Sequence, residues 1–196
     1  KGRMGLKFGD SKLIDSILFD GLIDPYDNVA MGSCAEILVN EKKISREEQD
    51  NFAIESYKRS NNAIKEGLFE NEISPVEIKN RDKVTIIDCD EEPLKFNEDK
   101  IKKLKPAFDK NGSITAANAS SLNDGAAAIL LSSKSKVEEF NLKPVAKIIS
   151  HISIATEPIY FTKAPVTAIS ELLEKTGFSI KDIDLFEVNE AFSCVA

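Results

Sequence analysis

Cys34, Cys89, Cys194 and His151 carry the sharpest chemistry open to this chain, three thiols and one imidazole. A thiolate attacks carbonyl carbon, and an imidazole moves protons near neutral pH. Their neighbours argue against both uses. Cys89 sits between Asp88 and Asp90, where two negative charges oppose a thiolate. Cys34 precedes Ala35-Glu36, Cys194 precedes Val195-Ala196, and His151 stands alone in Ser150-His151-Ile152. No two of them have metal-ligand spacing, so a structural zinc is not expected. The odd cysteine count and wide spacing do not make a disulfide framework and point to a reducing compartment.

A second kind of site is written in Thr115 to Ala128. These fourteen residues hold no aromatic, no Lys and no Arg, and Asp124 is their one charge. Side chains this small let a ligand or another backbone come close. Upstream, Lys95 to Lys110 holds six lysines against Glu98, Asp99 and Asp109, a net +3 inside a chain of net charge -7. Such a patch suits an anionic small molecule or is simply a solvated face. Taken singly, the polar candidates read blandly. Asn189 is a favoured helix N-cap type, Ser120 a turn serine, and Tyr57 a tyrosine on an amphipathic helix.

The elements that must position these residues follow from the apolar spacing. Leu13, Ile14, Ile17 and Leu18 predict a short helix ending near Gly21. Asp24-Pro25-Tyr26-Asp27 is a turn, and Met31 to Val39 a further short helix. Ser45 with Glu48 makes a capping box for a helix from Ser45 to Ile64. Its face of Phe52, Ala53, Ser56, Tyr57, Ser60, Ala63 and Ile64 is mostly small, and Gly67 is its stop. Strands are expected at Ile73 to Ile78, Lys83 to Asp88, Ala126 to Leu131, Val145 to Ile149 and Asp184 to Val188. Helices are expected at Lys134 to Phe140 and from Pro165 to just before Gly177.

With 196 residues and 42% hydrophobic content, one or two domains are possible. The acidic balance argues against a general nucleic-acid binder. The longest apolar run, Ala126 to Leu131, is far below the ~20 residues of a membrane span. Lys1 is not an initiator Met, and Ala196 falls in what reads as the first turns of a helix, Glu190 to Ala196. A piece of a longer protein is therefore expected.

Several stretches, in order, resemble the thiolase family. They are Asp20-Gly21-Leu22-Ile23-Asp24, Met31-Gly32-Ser33-Cys34-Ala35-Glu36, Ile44-Ser45-Arg46-Glu47-Glu48-Gln49-Asp50, Pro106-Ala107-Phe108-Asp109, the Thr115 to Ala128 stretch and Asn189-Glu190-Ala191-Phe192. Asp24-Pro25-Tyr26, Met31-Gly32-Ser33-Cys34-Ala35-Glu36 and Glu157-Pro158-Ile159 are most similar to the potassium-dependent mitochondrial type of acetyl-CoA acetyltransferase. The resemblance implies an α/β chain with the layered αβαβα thiolase fold, incomplete here, with an inserted loop domain. It implies a loop domain at 1–121, a returning part of the N-terminal domain at 122–143, and the start of the C-terminal domain at 144–196.

It also implies Claisen condensation of two acetyl-CoA molecules to acetoacetyl-CoA and CoA, or the reverse thiolysis. Asn189 then holds the water of an oxyanion hole. Tyr57, Lys95, Phe96, Asn97, Phe108, Ala116, Ser120 and Leu122 contact CoA. Tyr57 and the carbonyls of Ala116, Ala117 and Ala119 face a potassium ion. The family's nucleophilic cysteine and catalytic histidine fall outside the matched residues, so this chain alone is expected to be inactive. Ala30 stands where this type often carries His, and Thr162 where it carries proline. Implied partners are acyl-CoA substrates and other copies in a homodimer or homotetramer, in a mitochondrial or cytoplasmic setting. Two other readings remain open: a non-catalytic CoA-binding or interaction module, and a 3-ketoacyl-CoA thiolase preferring longer chains.

Overall fold

In a computed structural model, residue 5, residues 8–81 and residues 83–196 are described. A single π-helical turn, Leu18–Leu22, leads into a minimal antiparallel ladder of β1 (Ile23–Asp24) and β2 (Val29–Ala30). The turn between them is fixed by buried Asp24, whose carboxylate accepts the backbone N–H of Asp27 at 2.7 Å. β2 runs directly into α1 (Met31–Lys42), which ends where Lys43 takes a left-handed conformation.

α2 (Arg46–Lys65) starts as its sequence predicts. The Ser45 hydroxyl accepts the Glu48 N–H, and the Glu48 carboxylate reaches back to the Ser45 N–H at 2.7 Å. Two orphan donors of the first turn are thereby satisfied. Gly67, at φ +68°, turns the chain out of the helix. A hairpin of β3 (Val76–Asn80) and β4 (Lys83–Ile87) follows, then a 3-10 turn at Pro93–Lys95 and α3 (Glu98–Ile101). α4 (Lys134–Glu139) is capped by Ser133. A 3-10 segment, Pro158–Lys163, leads into α5 (Ala164–Thr176), which closes on Gly177 at φ +73°.

The core is small and lies where distant segments meet. Ala35, Leu38 and Val39 of α1 pack against Ile114, Phe192 and Cys194, with Phe161 at the margin. Under this core, charged groups are buried with partners. Glu36 accepts the N–H groups of Ser113 and Ile114, each at 2.8 Å. Asp50 is held by Arg46 at 2.8 Å and by the Asn118 amide at 3.0 Å. Arg46 also donates to the carbonyls of Ile101 and Leu104, which ties the lysine-rich segment to the start of α2.

Six sequence expectations are corrected. Ala126 to Leu131, Val145 to Ile149 and Asp184 to Val188 form no ladder, and their apolar side chains stand in solvent; Leu130 is 89% exposed. A strand needs a hydrogen-bonded neighbour, and the described residues offer these three runs none. Glu190 to Ala196 is not the start of a helix: Phe192 makes an isolated bridge and a turn follows. The helix expected over 13–21 is reduced to residues 16–17 and the π turn, because its apolar side chains meet no packing partner. Phe52 lies on the exposed side of α2, whose fully buried positions are Gln49, Asp50, Ala53 and Ile54.

The exposed surface totals 16500 Å². A compact monomer of this mass exposes about 9,200 Å².

Candidate functional site

Two segments far apart in sequence are laced together at the edge of the core. Ala119 bridges Phe192, the Ser120 N–H donates to the Ala191 carbonyl at 2.9 Å, and the Ser193 N–H donates to the Asn118 carbonyl at 2.8 Å. The floor beneath is rigid. Asn118 is buried, its amide donating to Asp50 and to the Ser113 carbonyl while its oxygen accepts the Thr115 N–H at 2.7 Å. The amide nitrogen and the oxygen of that side chain are both engaged.

This lacing opens a cleft of about 280 Å³ against the small face of α2. Ala53, Ser56, Tyr57 and Ser60 form one wall; Glu92 and Pro93, the residues from Ala117 to Ser121 with Asn123, and Asn189, Glu190 and Ser193 form the rest. The lining is hydroxyls, amides and methyl groups, and its two charged side chains are both carboxylates. Such a surface hydrogen-bonds a neutral, amide-bearing chain and does not attract phosphate. Tyr57 donates its hydroxyl to Glu92 at 3.1 Å, and its ring stacks on Phe96 with centroids 5.6 Å apart. Burial first, and Glu92 second, push the Tyr57 hydroxyl above its ordinary pKa. The Lys95 ammonium, 2.8 Å away, holds the Glu92 carboxyl below its usual range, helped by Tyr57.

The thiols lie elsewhere. Cys34 and Cys194 are buried in the core, and burial raises both pKa values, Cys194 to about 11. Cys89 is half-buried and free. Neither a cysteine nor His151 lines the cleft.

Two family models divide the chain between them. One described as the thiolase N-terminal domain matches residues 1–135, and one described as the thiolase C-terminal domain matches residues 142–196. The chain belongs to the thiolase family. The thiolase fold is mixed α/β and incomplete here, because the chain spans about half the length of the curated relatives it matches. It is 52% identical over 192 residues to an acetyl-CoA acetyltransferase of Yarrowia lipolytica, covering 98% of this chain and 48% of the relative. The crystal structure of the Bacillus anthracis acetyl-CoA acetyltransferase superposes with a TM-score of 0.91 at 39% identity, over 100% of this chain and 50% of that one. An Ascaris suum thiolase, solved in complex with coenzyme A, superposes at 0.89 with 43% identity, over 97% and 49%.

Within this thiolase chain the sequence-derived site residues divide into two groups. Tyr57, Ala117, Ala119, Ser120 and Asn189 all line the cleft. Among the described residues, the Asn189 amide and the Ser120 hydroxyl make no internal hydrogen bond. The others lie outside the lining. Phe96 backs Tyr57, and Lys95 is spent on Glu92. Asn97 caps α3 by accepting the Lys100 N–H at 2.9 Å. Phe108 covers Gly32 and meets Phe192 edge-on at 6.2 Å. Ala116 is exposed, and Leu122 is 72% exposed. The lysine patch is partly neutralised, since Lys102 pairs with Glu98 at 2.7 Å. Sequence reasoning had not assigned Glu92, Glu190, Ser121, Asn123 or Ser193 to a site. Ser56 and Ser60 had a signal, the small face of α2; Glu92 had none.

Proposed function

We propose that this chain supplies the CoA-binding cleft and the oxyanion-hole asparagine of an acetyl-CoA C-acetyltransferase. The observation that carries it is the convergence of Tyr57, Ser120 and Asn189 on one cleft of small and hydroxylic residues. Pantetheine is long, thin and studded with amides. Ser120, whose hydroxyl makes no hydrogen bond among the described residues, would hydrogen-bond that arm. Asn189 would hold a water against the substrate's thioester oxygen, where negative charge develops when the α-carbon loses its proton. In thiolysis the same group stabilises the leaving enolate.

The acyl-accepting thiol and the proton-transferring groups belong, in this reading, to other parts of a longer polypeptide. The buried, pKa-raised Cys34 and Cys194 support that assignment. By the same reading the chain divides into a loop domain at 1–121, a returning N-terminal part at 122–143 and a C-terminal part from 144. Lys95, Phe96 and Asn97 reach the nucleotide end, while Phe108, Ala116 and Leu122 line the outer channel. The complete protein is a homodimer or homotetramer in a reducing compartment, mitochondrial or cytoplasmic.

A potassium ion fits part of the residue set. Ala117, Ala119 and Tyr57 share the cleft, and Glu92 adds a carboxylate beside the Tyr57 hydroxyl. Ala116 is exposed and outside it. Among the described residues, no group of three or more His, Cys, Asp or Glu could hold a metal, so a hard ion here rests on oxygens of carbonyls and hydroxyl. When bound, it would order the 116–119 loop.

The test is acetoacetyl-CoA thiolysis by the complete polypeptide. Asn189→Ala is expected to lower kcat by about 10²–10³ with CoA still bound in calorimetry. The 196-residue chain alone is expected to show no turnover. CoA binding without turnover by the complete polypeptide would favour the non-catalytic module, and a preference for longer acyl chains would favour the 3-ketoacyl type.

A further inference from the structure

We propose that Asp50, held by Arg46, is a positioning residue of the cleft: it selects which way the Asn118 side-chain amide faces, and so sets where Ala117, Ala119 and Ser120 stand against a bound pantetheine arm; this rests on the CoA-binding role read for Ser120. An asparagine amide keeps nearly the same shape when its oxygen and nitrogen change places, so its neighbours decide between the two. At Asn118 the neighbours on one side only accept. Asp50 Oδ1 takes Asn118 Nδ2 at 3.0 Å, and the Ser113 carbonyl takes the same nitrogen at 3.1 Å. Asp50 Oδ2 is engaged by Arg46 Nε at 2.8 Å, which holds the carboxylate in place. Asn118 Oδ1 is thereby turned toward the Thr115 N–H, 2.7 Å away.

That bond fixes the far end of the loop. The Thr115 hydroxyl accepts the N–H groups of Ala117 and Asn118 at 3.3 and 3.4 Å, and the Asn118 carbonyl accepts the Ser193 N–H. Ala117, Ala119 and Ser120, on either side of Asn118, all line the cleft. The near end is held separately. Glu36 accepts from Ser113 and Ile114, and Gln49 donates to the Ser113 hydroxyl at 2.8 Å. Loss of the Asp50 contact therefore releases residues 115–120 without releasing 113–114. Asp50, Thr115 and Asn118 are 5%, 0% and 2% exposed and have these partners inside this chain. Groups already buried and paired keep those partners in the complete polypeptide.

The experiment uses the complete polypeptide. Asp50→Asn keeps the volume, yet its amide sets a donor against a donor whichever way it lies, at Arg46 or at Asn118. KM for CoA in thiolysis is expected to rise about tenfold, matched by weaker CoA binding in calorimetry, with kcat within about threefold. Asn118→Asp sets two carboxylates face to face and is expected to do at least as much. With both substitutions together the new amide donates to the new carboxylate and accepts from Arg46. KM is then expected at or below the Asp50→Asn level, where independent losses would give about a hundredfold. Hydrogen exchange reads the loop directly. In Asp50→Asn the Thr115 amide is expected to exchange several-fold faster, and the Ile114 amide, held by Glu36, at its original rate.

A parent-like KM in Asp50→Asn, a loss carried by kcat alone, multiplicative losses in the double variant, or equal acceleration of both amides would overturn the proposal. Should Asp50→Asn not fold, the double variant decides: KM within about tenfold of the parent supports it, and a hundredfold rise overturns it. If Ser120→Ala leaves CoA affinity unaltered while Asp50→Asn still raises KM, the positioning stands and the reading of Ser120 is what fails.

Discussion

Asn118 shows how much one buried amide holds in place. Its bond to Asp50 joins α2 to the Thr115–Ser120 loop, and its bonds to Thr115 and Ser113 hold that loop on itself. Asn118→Ala leaves the Asp50 carboxylate and the Thr115 N–H without that partner. A loss of about 2–4 kcal/mol is expected, read as a lower urea midpoint of the complete protein with its slope unchanged. The thiols make a second prediction at this scale. A thiol whose folded pKa is raised contributes fully below its unfolded value and stops contributing as pH climbs through the folded one. Cys194, pushed up to about 11, therefore makes stability fall between about pH 9 and pH 11, the unfolded state ionising first. Cys194→Ala is expected to flatten that part of a melting-temperature profile. Residues of this kind were the hardest to read in sequence. Glu36 and Ser113 are 77 positions apart, Asp50 and Asn118 68, and only the fold explains why these polar groups can be buried.

Elements with their own local instructions were legible. The start of α2 was written in Ser45 and Glu48, the end of α5 in Gly177, and the β3–β4 hairpin in two β-branched runs. Each depends on residues a few positions apart. Ser45→Ala removes the cap and is expected to cost about 1 kcal/mol, measured as a shifted denaturation midpoint. Val145 to Ile149 had equally good strand composition and formed no strand. Composition selects a backbone preference, but a ladder takes a second chain segment, and that information is not local. The cleft was half legible for the same reason. Tyr57, Ser120 and Asn189 stood out through family motifs, whereas Glu92 entered only because the 3-10 turn at Pro93–Lys95 folds back on α2.

At the scale of the whole molecule, the surface area governs behaviour. Exposing about 7,000 Å² more than a compact protein of its mass does, the isolated chain presents Ile129, Leu130 and Leu131 together with Leu185 and Phe186 to water. Expressed alone, it is expected to self-associate and to bind a hydrophobic dye. Sedimentation velocity showing a monomer, with a cooperative melt, would contradict this. The core that does form is the one beneath the cleft, so the region of best packing is also the region of proposed chemistry.

The hydrogen bonds that hold the chain where the hairpin returns to α2 set what can change without cost. Asn61 Nδ2 grips the Pro93 carbonyl at 2.7 Å, and Arg46 grips those of Ile101 and Leu104. The chain leaves α2 after Lys65 and is caught again at Pro93, whatever it does between. No other named element packs on β3 or β4 to any comparable extent among the described residues. The hairpin is thus a detour with both ends moored. Within this chain a change in its length is expected to leave the moored ends and the cleft in place, which chemical-shift comparison of a shortened hairpin checks.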